Sequence, residues 1–142
     1  MSGNQYNRLS PASVSPVTTA ETVVLTSAGY VYDNPNPYVG GEHVGSGQGV
    51  RINGIVYFST TAAGTTAITV RVRQGSLAGA LVGAQITQSV TANTAAVIAF
   101  DEIDFSRFPA AEGGGVYVVT VQGVASTGNP GIAEATMVLT AG

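Results

Sequence analysis

The chain contains no cysteine, no lysine and no tryptophan, and its only histidine is His43. Without cysteine, the chain cannot form disulfides, thiolate metal sites or a cysteine nucleophile. With one histidine and no Gly-x-Ser-x-Gly segment to present a serine, a Ser-His-Asp arrangement is disfavoured as well. The sequence therefore predicts a protein that is not an enzyme, without catalytic residues, cofactor or metal.

Charge is also scarce. Five basic and eight acidic residues make 9 % of the 142 residues, against about 25 % in ordinary soluble domains. All five basic residues are arginine, so the chain lacks the lysines that commonly keep sheet edges and solvated faces from associating. Together with 44 % hydrophobic residues, this composition predicts a subunit of an assembly. A monomer solubilised by Ser, Thr, Asn and Gln remains the alternative.

Two classes of partner are disfavoured. Nucleic acid binding needs clustered basic side chains, whereas this chain has a net charge of −3. No apolar run reaches the roughly 18 to 20 residues that span a membrane, and "MSGNQYNRLSPASVS" lacks the basic-then-apolar order of a signal peptide. We therefore expect no nucleic acid, no membrane segment and no signal peptide.

Residues 1–20 are rich in Ser, Thr, Asn and Pro and have no hydrophobic period, which predicts an extended N-terminal arm. Such an arm is held either by a neighbouring subunit or by folding back on its own domain. If it clamps a neighbour, a chain without residues 1–20 folds but no longer enters particles.

Residues 21–142 alternate apolar and polar side chains with a period of two, as strands do. In "VRINGIVYFS" the even positions from Val50 to Phe58 point one way, with Ile55 the exception. In "TAAVIAFDEIDF" the alternation shifts phase between Phe100 and Ile103, which predicts a bulge or a strand end. Seven or eight such strands, separated by turns, predict a single antiparallel β-sandwich of jelly-roll type, with an immunoglobulin-like sandwich as the alternative.

The segment "YVYDNPNPYVGGEHVGSGQG", residues 30–49, shows neither the period of two typical of strands nor the period of 3.6 typical of helices, and it predicts a long loop. Loops of this length in a compact domain are usually functional or disordered. Its tyrosines Tyr30, Tyr32 and Tyr38 are of a type enriched in protein interfaces. Aromatic rings also stack on sugars, so a glycan remains an alternative partner for this loop.

Three arginines, Arg51, Arg71 and Arg73, occupy the polar faces of two strands that we expect to be neighbours, which predicts a basic patch. The patch would bind an acidic glycan or the acidic cluster "DEIDF" of another copy. The cluster itself, Asp101 to Asp104, would pair with an arginine such as Arg107 or, as an alternative, hold calcium. The interface candidates from the sequence are Tyr6, Arg8, Tyr30, Tyr32, Tyr38, His43, Arg51, Arg71 and Arg73.

The Ser/Pro/Thr-rich arm, followed by the glycine-rich strand segments "GIVYFSTTAAGTTAITVRVRQGS" and "GVYVVTVQGV", resembles bacteriophage capsid decoration (cement) and minor capsid proteins. The resemblance implies a non-enzymatic virion structural protein, a homo-oligomer such as a trimer, that clamps a major capsid protein and assembles in the host cytoplasm. Coat proteins that package the genome typically have basic arms. Because this arm is not basic, the resemblance favours a position on the outside of the shell. Two other classes stay open: a receptor- or carbohydrate-binding module such as a fibre head, and a self-assembling filament or surface-layer subunit.

Overall fold

A computed structural model describes residues 4–9, 17–27, 50–59, 66–91, 95–104, 116–124 and 129–141, with the main chain alone for 4–9 and 141. These residues form eight β-strands and no helix. The strands are β1 (Asn4–Leu9), β2 (Thr22–Thr26), β3 (Val50–Phe58), β4 (Thr66–Gln74), β5 (Ile86–Val90), β6 (Ala96–Asp104), β7 (Tyr117–Gly123) and β8 (Ile132–Ala141).

The strands form two four-stranded antiparallel sheets. The first sheet has the order β1-β8-β3-β6 and the second has the order β2-β7-β4-β5. The pairs β1 with β8, β2 with β7, β3 with β6 and β4 with β5 are nested, as when one long hairpin is rolled up so that alternate pairs fall into opposite sheets. This nesting is the jelly roll. The predicted fold is confirmed, and the strand order decides against the immunoglobulin-like alternative.

The core lies between the two sheets and is mostly aliphatic. Its largest fully buried side chains are Tyr117, Phe58, Ile52, Ile68, Ile98, Met137, Leu139, Val50 and Val56. Apart from Tyr117, which begins β7, each comes from the inward positions of an alternating strand, and burying one large apolar side chain stabilises the fold by about 1.5–3 kcal/mol. Strand β7 lies between β2 and β4 and is buried on both faces, as its apolar sequence predicts.

The predicted phase shift in β6 is wrong. The strand continues without interruption, so Ile103 is 48 % exposed and Asp104 is buried. The buried carboxylate is satisfied, because Oδ2 of Asp104 accepts hydrogen bonds from the Tyr117 hydroxyl at 2.7 Å and from the Gln74 amide at 3.0 Å. An acid can therefore occupy this inward position, where the alternating pattern predicts an apolar residue, because Tyr117 and Gln74 of other strands donate hydrogen bonds to it.

The described part of the N-terminal segment folds back on its own domain, the alternative that the sequence left open. Strand β1 pairs with β8 from Asn4 opposite Thr140 to Leu9 opposite Ala135. Further along, the main chain of Val17 donates to Pro130, and that of Gly123 donates to Thr18. Residues 17–21 therefore lie across the second sheet.

Candidate functional site

The outer face of the first sheet brings together residues from three strands. Outward positions of β3 and β6 stand opposite each other in four pairs: Arg51 with Ile103, Asn53 with Asp101, Ile55 with Ala99, and Tyr57 with Val97. On the other side of β3, Thr140, Val138, Thr136 and Glu134 of β8 continue the same rows. We call this surface the outer face.

One end of the outer face is polar. Arg51 donates from Nε and Nη2 to the two carboxylate oxygens of Asp101, at 2.8 and 2.6 Å. The hydrogen bond from Arg51 holds the pKa of Asp101 below its ordinary value. Both side chains remain half-exposed, so the pair contributes little to stability. Its main effect is to leave this end of the face without net charge.

The other end is apolar and open. Tyr57 is 40 % exposed and Val97 is 41 % exposed. Beside them lies a groove of about 340 Å³ lined by Ile55, Tyr57, Ala133 and Glu134. The groove coincides with an irregularity in β8, where Tyr57 stands opposite Glu134 but Phe58 stands opposite Ile132. The extra residue, Ala133, is a β-bulge, a feature that commonly re-aims side chains near sites.

Two predicted interface residues occupy register positions at the edge of the same sheet. Tyr6 stands opposite Val138 and Arg8 opposite Thr136 in the pairing of β1 with β8. Since Val138 and Thr136 belong to the rows of the outer face, Tyr6, Arg8 and Arg51 occupy one sheet. Tyr30, Tyr32, Tyr38, His43 and the loop 30–49 lie outside the described residues, and so does Arg107; their roles stay predictions.

The predicted basic patch does not form, because β3 and β4 lie in different sheets. Arg71 and Arg73 of β4 instead meet Glu21. Arg73 donates from Nε to Glu21 at 2.6 Å, and Arg71 donates from Nη1 at 3.2 Å. Thr120 adds a third donor at 2.6 Å, and these interactions, that from Arg73 foremost, lower the pKa of Glu21. The two arginines therefore hold residues 17–21 against the second sheet.

The acidic cluster does not converge on one point. Asp101 faces outward to Arg51, whereas Asp104 faces the core, because alternate residues of a strand point to opposite faces. Within the described ranges, no group of three His, Cys, Asp or Glu side chains could hold a metal ion.

Tyr57 and Val97 are candidate contact residues that were not predicted from the sequence. The available signal was Ile55, the apolar exception on the polar side of β3, together with the uncharged run "AVIAF" in β6. Apolar residues at outward strand positions indicate a face that another surface covers.

Comparison with known proteins gives fold relatives only. No family model and no curated protein matches the chain. The chain is similar to a chain of the infectious bursal disease virus Gx strain, with a TM-score of 0.55, 11 % identity and coverage of 98 % of this chain and 33 % of that one. It is also similar to a mutant VP2 protein of the same virus in derived T=1 particles, with a TM-score of 0.51, 11 % identity, and coverage of 99 % and 32 %.

A subunit of the disulfide-linked pili that form Bacillus endospore appendages has a TM-score of 0.45 and 13 % identity, over 99 % of this chain and 88 % of that one. No helix among the described residues is long and apolar enough to cross a membrane. The chain spans about a third of the length of the viral chains. At 11 % identity, what it shares with them is the β-sandwich fold.

Proposed function

We propose that the chain is a non-enzymatic structural subunit of a virion, a capsid decoration or minor capsid protein that binds its neighbours through the outer face of the first sheet. One observation carries the proposal: Tyr57 and Val97 stand opposite each other on the outer face, are 40 and 41 % exposed, and lie at its grooved end. Exposed apolar side chains gathered in one place mark interaction sites on soluble proteins. Ile103, 48 % exposed, lies on the same face at its other end. The composition, with few charges and no lysine, agrees with a chain that functions covered by others.

Two further features support this role. Three of the five arginines are engaged by carboxylates of the same chain, so little charge remains to keep copies apart. The first sheet, with strands of six to ten residues, has a face of at most roughly 30 by 19 Å. Two such faces in contact approach the roughly 1,000 Å² that a specific interface buries. Viral capsid chains that share the fold make the architecture suitable for a shell.

The partners that we propose are further copies of this chain and a major capsid protein. The outer face supplies the apolar contact, and Tyr6 and Arg8 stand at its border by register. The loop 30–49 would add a second contact, as its tyrosines predict.

Sedimentation of particles tests the proposal. In lysates of cells that produce the virion, the chain should co-sediment with particles on a density gradient. The double variant Tyr57→Ser/Val97→Ser should remain in the light fractions, whereas the control Leu77→Ser/Val124→Ser, which removes two exposed apolar side chains outside this face, should co-sediment. Absence of the unmodified chain from particles, or normal incorporation of the double variant, contradicts the proposal.

A carbohydrate-binding role is the second candidate, and the groove favours it. An exposed Tyr57 ring beside the Glu134 carboxylate offers a stacking surface and a hydrogen-bond acceptor for hydroxyl groups. A glycan array would then show saturable binding to a sugar. At least one of the variants Tyr57→Ala and Tyr38→Ala would lose that binding. A shell protein shows no such tyrosine-dependent binding.

A further inference from the structure

Strand β6 is a nine-residue edge strand. Its sequence, AVIAFDEID, includes no proline or lysine, which proteins commonly place on an edge to blunt it, and its pairing with β3 has no bulge. Its charges are the acids Asp101, Glu102 and Asp104, of which Asp101 is paired with Arg51 and Asp104 accepts hydrogen bonds inside the fold. It pairs with β3 on one side, and no strand formed by the described residues pairs with its other side. Such an edge is a template on which another extended chain can add a strand.

The residues whose main chain points to this free edge can be identified. The Gln88 side-chain amide lies 3.4 Å from the Val97 carbonyl oxygen. Gln88 belongs to β5, which is in the other sheet, so the Val97 carbonyl points away from β3. Because main-chain direction alternates along a strand, Ala99, Asp101 and Ile103 point the same way. The contact of Gln88 is long for a hydrogen bond, and a partner strand would replace it with a stronger donor.

The sequence of β6 is complementary to itself in one antiparallel register. Pairing about Phe100 places Val97 opposite Ile103, Ala99 opposite Asp101, Ile98 opposite Glu102 and Ala96 opposite Asp104. All nine residues then pair, no acid faces an acid, and the two exposed apolar side chains of the strand meet. A slip of two residues in one direction sets Asp101 opposite Asp101, which is destabilising. A slip of two residues in the other direction sets Val97 opposite Asp101, and both slips shorten the overlap.

We propose that two copies of the chain pair through β6 about a twofold axis beside Phe100, which joins their first sheets into one sheet of eight strands. The twofold contact is isologous, so the same residues serve both copies. The contact of Val97 with Ile103 of the second copy makes the apolar stripe continuous between the two outer faces, and the ion pair of Arg51 with Asp101 is retained. The role of this dimer rests on the proposed function, since the dimer would be the unit that binds the shell. It differs from the trimer that the family resemblance implies.

Because the chain contains no cysteine, introduced cysteines test the register directly. In the proposed dimer, positions 97 and 103 of different copies form a hydrogen-bonded pair with Cα atoms about 5.5 Å apart, within the range for a disulfide. Two copies of position 97 are six residues apart along the strands, about 20 Å. Val97→Cys alone and Ile103→Cys alone should therefore not cross-link on oxidation. Their equimolar mixture should yield cross-linked heterodimers from about half of the chains, and the double variant should cross-link almost completely.

Val124→Cys, at a position that is 71 % exposed outside this edge, is the control and should not cross-link with either variant. Circular dichroism establishes that each variant is folded. The unmodified chain gives two independent readouts. As its concentration rises, its mass in solution should rise from 14.3 kDa to twice that value. Over the same range, the amide protons of Ala99 and Asp101 should exchange more slowly. A single variant that cross-links with itself, or a monomeric mass without cross-linking in the mixture, overturns the proposal.

Different outcomes contradict the proposed dimer and the proposed role in a shell. Cross-linking in the predicted pattern without co-sedimentation with particles contradicts the proposed function and leaves the dimer. Co-sedimentation without cross-linking contradicts the dimer and leaves the proposed function.

Discussion

Tyr117 forms the hydrogen bond that allows β6 to end with a buried acid. Its hydroxyl, on a fully buried side chain, donates to Asp104 at 2.7 Å. Tyr117→Phe removes this donor from a buried acceptor and should lower the free energy of unfolding by about 1–3 kcal/mol. Tyr57→Phe is the control: it makes the same chemical change on an exposed ring and should cost no more than about 0.5 kcal/mol. Urea unfolding measures both, and equal effects would contradict this assignment.

Glu21 should make the stability of the molecule depend on pH. The hydrogen bond from Arg73, with that from Thr120 and the charge of Arg71, lowers the pKa of Glu21 below its ordinary value of 4.5. A carboxyl with a lowered folded-state pKa contributes stability that is complete above its unfolded-state pKa and is lost as the pH falls through the folded-state pKa. Glu21→Gln should therefore cost about 2–4 kcal/mol at pH 7, because both arginines are mostly buried.

At pH 3 the difference between this variant and the unmodified chain should be smaller than at pH 7. Urea unfolding at the two pH values measures it. Asp101→Asn is the matched control, since the pKa of Asp101 is also lowered by an arginine but that pair is half-exposed and contributes little. A difference for Glu21→Gln that does not change with pH would show that Glu21 acts by packing alone.

At the scale of the strand, Gly54 determines how closely β3 packs against its neighbours. A Cβ atom at this position would overlap the carbonyl oxygen of Thr136 in β8 and lie 2.9 Å from the Phe100 ring of β6. Because the obstacle includes main chain, relief requires the strands to move. Gly54→Ala should therefore cost about 3 kcal/mol or more. Thermal or urea unfolding would measure this loss, with Ala99→Ser on the exposed side of β6 as the control that changes little.

The elements that the sequence predicted well are those in which one face is buried. The alternation in β3 identified its inward residues from Val50 to Phe58, because burial selects apolar side chains with a period of two. The same rule failed for β6 at Asp104, since the partner that satisfies this carboxylate, Tyr117, comes from another strand. It could not predict β1, whose segment NQYNRL shows no alternation. That strand is defined by main-chain pairing along β8, which leaves no pattern in the side chains.

The candidate site also depends on contacts between strands that a sequence pattern does not show. Exposure at the outer face depends on which strands are neighbours, and β3 and β4 follow each other in sequence but lie in opposite sheets. A single sequence therefore grouped Arg51 with Arg71 and Arg73, although their carboxylate partners are Asp101 and Glu21. Strand order, which decides these partners, is set by the packing of the whole sandwich.

At the scale of the whole molecule, the first sheet has two borders, β1 and β6, and the proposal assigns association to β6. Strand β1 should then serve the fold itself, because it covers β8 from Thr140 to Ala135. A chain that lacks residues 1–9 would leave the long strand β8 as an open edge. It should lose about 3 kcal/mol or more of stability, since several main-chain hydrogen bonds worth about 0.5–1.5 kcal/mol each are removed, and it should aggregate because an exposed edge pairs with other chains.

This expectation differs from the one that an independent arm implies, in which the truncated chain folds normally and fails only to enter particles. A chain that lacks residues 1–3 alone keeps β1 and is the control; it should match the unmodified chain in melting temperature and in elution volume on size exclusion. If the chain without residues 1–9 also matches it, β1 does not stabilise the sheet and the segment acts as an arm. Loss of solubility that is confined to the longer deletion would establish β1 as a strand of the fold, and particle assembly would then have to be tested with variants of the outer face rather than with truncations.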